Sequence, residues 1–291
     1  MNHRPPPTIP LRRSPSPQKW LGVVIPKPWD HLITAVIPCL DHARETEICI
    51  RLLQLQSCRP HIILIDTGST KAELRKLELL RRTDVELHII RRAAIQHPCD
   101  LIASALDLGF SLADTPYVFT THQDVFLRSR HFLQFLVDTI HGLAAVGYQI
   151  TPRQHPTWHE ELGHSATLWS LAEYDRLGLS WSLRRAARIL GHGRPHNPTT
   201  ALDSIDTEAC INTLLRFAHA RVAFVGTEIN FMRTLDENID HCRSLICSSL
   251  YNPARHLAAQ TEMANAIGDA RRRIQTWENS GPADPPPPKR P

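Results

Sequence analysis

The chain has 291 residues, of which 42% are hydrophobic, and its formal net charge at pH 7 is +4. A chain of this length can bury a substantial core, either in one domain of ordinary size with tails or in two small ones. The apolar runs, such as residues 32–40 and 62–65, have the length of a strand and are too short to cross a bilayer.

The two ends of the chain differ in composition from the middle. Residues 1–28 carry eight prolines and several basic side chains, and residues 285–288 are a proline run. We predict a disordered basic arm over residues 1–28, one folded domain over residues 29–279 and a disordered tail over residues 280–291. The arm lacks the features of a signal peptide. Basic tails can bind nucleic acid or anionic lipid, but no series of aromatic side chains alternates with these charges, so we expect no nucleic-acid partner.

The seven cysteines are odd in number and scattered, and none forms a Cys-x-x-Cys pair. Several lie in apolar stretches, where a free thiol packs as a small hydrophobic side chain. We therefore predict a reducing compartment, the cytoplasm.

Strands and helices alternate through the first half of the folded part. Runs of β-branched and apolar residues predict strands, and apolar residues at helical spacing predict helices. The predicted strands are residues 31–38, 61–66, 85–91, 117–121 and 144–150, and the predicted helices are residues 44–57, 71–82, 99–113 and 131–141. This order predicts an α/β fold with a mostly parallel, twisted sheet flanked by helices, in which ligands bind beyond the carboxyl ends of the strands.

The alternation is lost after residue 151. Residues 151–161 are polar and predict a loop over the crevice at the strand ends. Beyond them we predict helices at residues 182–190 and 206–218, a strand at residues 221–225 and a long amphipathic helix at residues 254–277. The C-terminal region is thus predicted to be partly helical.

Polar residues follow three of the predicted parallel strands. The first strand ends in Val36-Ile37-Pro38, the second in Ile65-Asp66-Thr67-Gly68-Ser69-Thr70, and the fourth is followed by His122-Gln123-Asp124. A carboxylate beside a Gly-Ser turn can bind a ribose or a base edge while backbone amides approach closely. Asp66 can equally cap the helix that follows it.

These motifs, together with Ala105-Leu106-Asp107-Leu108-Gly109 and the strand that begins Tyr117-Val118, resemble the family 2 glycosyltransferases of the GT-A fold. The order and spacing agree over about residues 32–125. The resemblance implies a GT-A-like domain that moves a sugar from a nucleoside-diphosphate sugar to an acceptor hydroxyl. It also implies that the nucleoside is bound by the segment around Pro38 and by Asp66, Gly68 and Ser69.

The same resemblance implies a divalent metal, manganese or magnesium, which neutralises charge on the leaving diphosphate. The family uses two or three aspartates for this ion, whereas this chain offers the single carboxylate of Asp124, beside a histidine that suits manganese better than magnesium. The resemblance implies Asp124 and the late His241 as metal ligands and Arg243 as a contact to the diphosphate. The alternatives are that Asp124 caps a helix near Arg128 and that residues 236–244 form a surface loop.

An acidic cluster, Asp203-Ser204-Ile205-Asp206-Thr207-Glu208, precedes a predicted helix. The family places an acidic pair near the acceptor, and an inverting transfer needs a carboxylate to take the acceptor proton. We assign Asp206 as this base and Glu208 as its neighbour. The alternative is a helix start enriched in acids, which suits the helix dipole.

The segment from His159 to His164 resembles a zinc-protease motif, but its histidines are five residues apart and Gly163 disfavours a helix, so we predict no zinc site there. The nucleotide, the sugar and the acceptor (a glycan, a lipid-linked molecule or a protein) stay open. The single-carboxylate metal motif also permits a second hypothesis, a catalytically silent module of the same fold that binds a nucleotide or a glycan.

Overall fold

The computed structural model describes residues 31–90, 98–151, 161–182, 207–229, 233–242 and 253–281. Its first half is the predicted alternation of strands and helices. The strands β1 to β4 are Ile33–Cys39, His61–Asp66, Val85–Ile89 and Tyr117–Thr121, and the helices α1 to α3 are Ala43–Gln54, Lys71–Glu78 and Pro98–Leu112. The four strands are parallel and stand in the order β3-β2-β1-β4, which confirms the prediction of parallel core strands.

The second half of the main sheet is mixed. It contains β6 (Ala145–Thr151), β7 (Glu161–Leu162), β8 (Ala166–Ser170) and β9 (Val222–Ile229). Strand β8 lies between β4 and β6 and is antiparallel to both, whereas β9 pairs with β6 in parallel. The sequence did not predict β8, and β9 continues four residues beyond the predicted strand end at residue 225.

A small second sheet extends from the carboxyl end of β4. It consists of β5 (Val125–Leu127), β10 (Thr234–Leu235) and β11 (Ile239–His241), in the order β10-β11-β5. Asp236 closes the β10–β11 turn because its Oδ1 accepts from the backbone amides of Asn238 and Ile239 at 2.7 and 2.9 Å. Its Oδ2 accepts from the Tyr148 hydroxyl at 2.6 Å, which ties the turn to the main sheet.

Helices cover both faces of the main sheet. The remaining helices are α4 (Phe132–Thr139), α5 (Leu171–Arg176), α6 (Thr207–Phe217) and α7 (Pro253–Asn279). One apolar cluster packs α1, α4 and α7 against one face, and a second packs α3, α5 and α6 against the other. Gly109 has a packing reason: a Cβ there would lie 2.3 Å from Cγ1 of Val36, so only glycine lets α3 approach β1 this closely.

Several predictions fall on residues that the structure does not describe. The loop after residue 151, the helix predicted from residue 183 onward, the arm over residues 1–28 and the tail from residue 282 are outside the described ranges. Ser182 itself is not helical. In the part of the chain that the structure describes, no helix is both long and apolar enough to cross a membrane.

Candidate active site

The turn that follows β4 carries the first group of site residues, His122, Gln123 and Asp124. Strands β1 and β4 pair only as far as Val36 and Thr120, so they part just before this turn. Gln123 bridges the gap, accepting from the Leu40 amide at 3.0 Å and donating to the Leu40 carbonyl at 3.2 Å. The turn is therefore fixed in the crevice where the strand order reverses, which is the usual ligand position in such sheets.

The Cys49 thiol of α1 also holds this turn. It donates to the carbonyl of His122 at 3.5 Å. Burial raises the pKa of the Cys49 thiol well above its ordinary value, and the nearby carboxylate of Asp124 adds to the effect. Cys49 thus stays a neutral donor that positions the turn.

Strand pairing brings His241 to Asp124. In the small sheet His241 stands opposite Val125, the residue after Asp124, and the Cys242 amide donates to the Asp124 carbonyl at 3.1 Å. Nε2 of His241 lies 3.7 Å from Oδ1 of Asp124. Its Nδ1 lies 2.8 Å from Oε1 of Glu228, a side chain at the end of β9 that is 0% exposed.

These residues fit a divalent metal. One ligand atom each of His122, Asp124 and His241 lie within 4.8 Å of one another. Nε2 of His241 is buried and has no hydrogen-bond partner among the residues that the structure describes. An orphaned ring nitrogen in a 1% exposed side chain is costly unless something binds it. The contact of Nδ1 with a carboxyl oxygen is the arrangement that orients histidine ligands in metalloproteins.

A second histidine–carboxyl pair adjoins this cluster. Nε2 of His164 lies 2.6 Å from Nε2 of His122, and its Nδ1 lies 3.0 Å from Oε1 of Glu208. The Asn212 side chain accepts from the Leu162 amide and donates to the Leu162 carbonyl, both at 2.9 Å. Since Glu208 and Asn212 share helix α6, this clamp sets the distance between Glu208 and His164.

The Asp66 turn lies at the end of β2, next to β1. Asp66 is 1% exposed, and its carboxyl oxygens accept from the amides of Gly68 at 3.2 Å and Ser69 at 3.1 Å. Gly68 has a φ of 111°, which favours glycine. The helix after the turn is capped by Thr70 rather than by Asp66, because Thr70 Oγ1 accepts from the Glu73 amide.

Pro38 lies in β1 beyond the last residue that pairs with β4, and it stands opposite Ile65 of β2. Proline lacks the amide that a second neighbour would need, so it suits a strand at the point where that neighbour leaves. The strand ends one residue later than predicted, at Cys39.

The loop between β1 and α1 connects the two halves of the site. The Asp41 amide donates to Ser69 Oγ at 2.6 Å, and Asp41 Oδ1 accepts from the Thr70 amide at 2.8 Å. On its other side the loop is held by Gln123 through Leu40. Asp41 and His42 both have a φ of 53°, a left-handed conformation that non-glycine residues seldom adopt outside sites where the surrounding structure imposes it.

Besides the cap at Thr70, the structure decides two further alternatives that the sequence left open. No helix follows Asp124: residues 125–127 are strand β5, so Asp124 is not a helix cap near Arg128. The surface-loop alternative fails for residues 239–242, which are buried. Asp240, 1% exposed, is paired with Arg233 at 2.7 and 2.8 Å.

The sequence left two roles open for Glu208, a neighbour of the acceptor base or part of a helix start enriched in acids. It lies in the first turn of α6, as a helix start would have it, and it also contacts His164. Asp206 and Arg243 lie outside the described residues. Glu228 is not among the predicted site residues. His164 has the wrong spacing from His159 for a zinc helix, but residues 161–162 are a strand, and the fold brings His164 into contact with His122.

No protein-family model matches the sequence, and no curated protein matches it significantly. Solved structures match over most of the chain. A mannosyltransferase of Pyrobaculum calidifontis in complex with GDP-Man and Mn²⁺ is 13% identical over 90% of this chain and 78% of that one, with a TM-score of 0.43. TarS residues 1–349 of S. aureus with UDP-GlcNAc is 10% identical over 85% and 71%, with a TM-score of 0.45. Glucosyl-3-phosphoglycerate synthase of M. tuberculosis is 15% identical over 72% and 75%, with a TM-score of 0.42.

These neighbours are GT-A glycosyltransferases, the class that the sequence resembles. Because the identities and TM-scores are this low, the activity of the chain has to follow from its own residues.

Proposed function

We propose that the protein is a glycosyltransferase that moves a sugar from a nucleoside-diphosphate sugar to an acceptor hydroxyl, with metal assistance and inversion at the anomeric carbon. The observation that carries the proposal is the meeting of Asp124 and His241 in the crevice beyond β4, with Glu208 joined to the same group through His164 and His122. A cation site and an acidic residue are the two groups that such a transfer needs on opposite sides of the sugar.

The cation would be held by His122, Asp124 and His241. When bound, it neutralises the negative charge that develops on the leaving diphosphate. The protein's own contribution is to fix the ligands: Gln123 anchors the turn to Leu40, and Glu228 orients the ring of His241. We propose manganese or magnesium as this ion, and the histidine beside Asp124 favours manganese.

The nucleoside would lie against the Asp66 turn, where Gly68 exposes backbone and Pro38 lines the neighbouring strand. The carboxyl group of Asp66 already accepts from two amides of its own turn. A carboxyl group has about four acceptor positions, so it retains capacity for a ribose or base donor. Arg243 is proposed as the contact to the diphosphate.

The acceptor would enter near the start of α6. Asp206 takes the proton of the acceptor hydroxyl while the oxygen of that hydroxyl attacks the anomeric carbon. The bond from the anomeric carbon to the diphosphate oxygen breaks on the opposite face. Glu208 supports the acceptor side. Its contact with His164 fits a supporting role, because one of its oxygens is engaged by the protein.

One observation favours a second candidate, a nucleotide- or glycan-binding module without turnover. Asp124 is the only carboxylate of the three-residue metal group, whereas the family that the sequence resembles uses two or three aspartates. A site with fewer negative ligands can bind a nucleotide and yet hold the ion too weakly to support transfer.

We also propose that the protein works in the cytoplasm. Five cysteines of the described residues are free, four of them buried, which suits a reducing compartment. The acceptor is proposed only as a glycan, a lipid-linked molecule or a protein.

The test begins with a thermal-shift screen of nucleotide sugars with and without Mn²⁺, since a ligand of the folded state raises the melting temperature. The nucleotide sugar that gives a metal-dependent shift is then offered to an acceptor panel, with release of nucleoside diphosphate as the readout. We expect Asp206→Asn to lower transfer by about a hundredfold with donor affinity unchanged, and Glu208→Gln to lower it less.

Each outcome of this test decides between the candidates. Donor binding without turnover in the native protein supports the module. Turnover that both variants retain removes the acidic cluster from the mechanism, and a larger loss in Glu208→Gln than in Asp206→Asn reverses their roles. The absence of any metal-dependent shift contradicts the proposal.

A further inference from the structure

In the group formed by His122, Asp124 and His241, two ring nitrogens stand beside one carboxyl oxygen as possible metal ligands. The rings of His122 and His241 face each other edge to face with centroids 5.7 Å apart, and the rings of His122 and His164 do the same at 4.4 Å. His164 is 5% exposed and His241 1%. The group that could hold a metal therefore has two imidazoles and one carboxylate, and the third imidazole, His164, contacts His122.

This composition bears on the choice of metal. Mg²⁺ prefers octahedral oxygen ligands and binds through carboxylates, phosphates and water, whereas imidazole nitrogen suits Zn²⁺, Co²⁺ and Ni²⁺. The orphaned Nε2 of His241 gains a partner from an ion that accepts nitrogen ligands. A hydrated Mg²⁺ held by Asp124 alone would leave the buried Nε2 of His241 with a poor partner.

His164 adds rigidity to the arrangement. Its Nδ1 lies beside Glu208 and its Nε2 contacts His122, so a chain of carboxyl group, imidazole and imidazole leads to the metal group. Partners of this kind fix the ring orientation of a ligand, and their removal costs about 10- to 100-fold in metal affinity in known sites.

We propose that this site selects a nitrogen-preferring divalent transition metal, the class of Co²⁺ and Zn²⁺, over Mg²⁺, and that His164 is a positioning residue that holds His122 for that ion. The inference rests on the proposed function only for the location of the metal site.

The first experiment is calorimetric titration of the full chain with Co²⁺ and with Mg²⁺. We expect Co²⁺ to bind tighter by at least about tenfold. Most sites favour Co²⁺ to some degree, so the ratio of Co²⁺ affinity to Mg²⁺ affinity is also measured for His122→Asp, which gives the site a second carboxylate. The ratio should narrow by about tenfold, with Co²⁺ affinity falling and Mg²⁺ affinity rising. Equal affinities in the native protein, or an unchanged ratio in the variant, overturn the proposal.

The second experiment tests His164. We expect His164→Ala to weaken Co²⁺ binding by about 10-fold or more and to change the visible absorption of bound Co²⁺, which depends on ligand geometry. The matched control is His88→Ala, because His88 of β3 also contacts a glutamate, Glu86, at 3.0 Å but lies three strands away from β4. A His164→Ala variant with native affinity and spectrum refutes the positioning role.

Both experiments are independent of sugar transfer. If Co²⁺ selectivity is found but no nucleotide sugar is used, the proposed function fails and this inference stands. If transfer proceeds and Mg²⁺ binds as tightly as Co²⁺, the proposed function stands and this inference fails.

Discussion

Glu228 offers the sharpest test of the proposed metal site, because it lies outside the three-residue group and contacts one of its members, His241. Its Oε1 lies 2.8 Å from Nδ1 of His241, and neither side chain is more than 1% exposed. When Nδ1 donates to Glu228, the neutral ring presents the lone pair of Nε2 toward Asp124, 3.7 Å away. Without this partner, the ring can rotate or take the other tautomer, and the ligand atom is lost for part of the time.

The expected magnitudes follow from that contact. Glu228→Gln keeps an oxygen that can accept from Nδ1 but removes the charge, so we expect metal affinity to fall by about 10-fold; Glu228→Ala removes the acceptor and should cost about 100-fold. These losses correspond to about 1.4 and 2.7 kcal/mol. Glu228→Ala also leaves a buried donor without its partner, which costs about 1–3 kcal/mol of folding free energy.

Both quantities are measured on the same proteins, metal affinity by calorimetric titration with Mn²⁺ and unfolding free energy by urea denaturation. Glu86→Gln is the matched control, because Glu86 also contacts a histidine, His88, on the outer strand β3, and should leave metal affinity unchanged. If Glu228→Ala unfolds at lower urea yet binds Mn²⁺ with native affinity, Glu228 serves the fold alone and our account of the His241 ring is wrong.

Two further predictions concern the turn at Asp66 and the packing at Gly109. Asp66→Ala should lose about 1–3 kcal/mol of nucleoside-diphosphate affinity, measured by calorimetry; early melting with normal binding would confine Asp66 to the turn that it forms with Gly68 and Ser69. Gly109→Ala should cost about 1–3 kcal/mol of unfolding free energy, because its Cβ would lie 2.3 Å from Val36. The control Gly268→Ala meets only Arg272 Nη1, at 3.7 Å, and should gain up to about 1 kcal/mol from helix propensity; equal urea midpoints for the two variants would contradict the packing argument.

The parallel half of the sheet was predictable because its signal is local. Strands β1 and β2 are short, largely apolar runs, and two strands, His61–Asp66 and Tyr117–Thr121, have the predicted bounds. Strand β8, Ala166–Ser170, was missed because its five residues carry no clear alternation and lead straight into helix α5. Its place between β4 and β6 depends on pairings across many residues, which periodicity does not report.

The candidate site likewise has residues that the sequence predicts and residues that only the fold brings together. Asp124 and His241 were predicted because the sequence resembles a family with known ligand positions, and the pairing of β5 with β11 places the two residues close together. His164 contacts His122 across 42 residues. Glu228 lies beyond the predicted end of its strand, in a stretch with no metal-binding spacing. Neither contact has a local pattern, so only the folded chain shows them.

The charge of the metal group argues that the ion and the diphosphate bind as a unit. His122 and His241 are neutral when they bind a cation, so Asp124 is the one negative residue of the three-residue group, and the ion together with these three ligands keeps a net charge of about +1. A nucleoside diphosphate supplies the missing negative charge, and each ligand therefore strengthens the binding of the other by the same factor, typically about 5- to 150-fold. We expect Mn²⁺ to raise the affinity of the nucleoside diphosphate that the screen selects, and that nucleotide to raise Mn²⁺ affinity equally. Two pairs of calorimetric titrations, each ligand with and without the other at saturation, measure both factors. Independent binding of the two ligands would show that the ion does not contact the diphosphate, and the metal-assisted part of the proposed mechanism would fall.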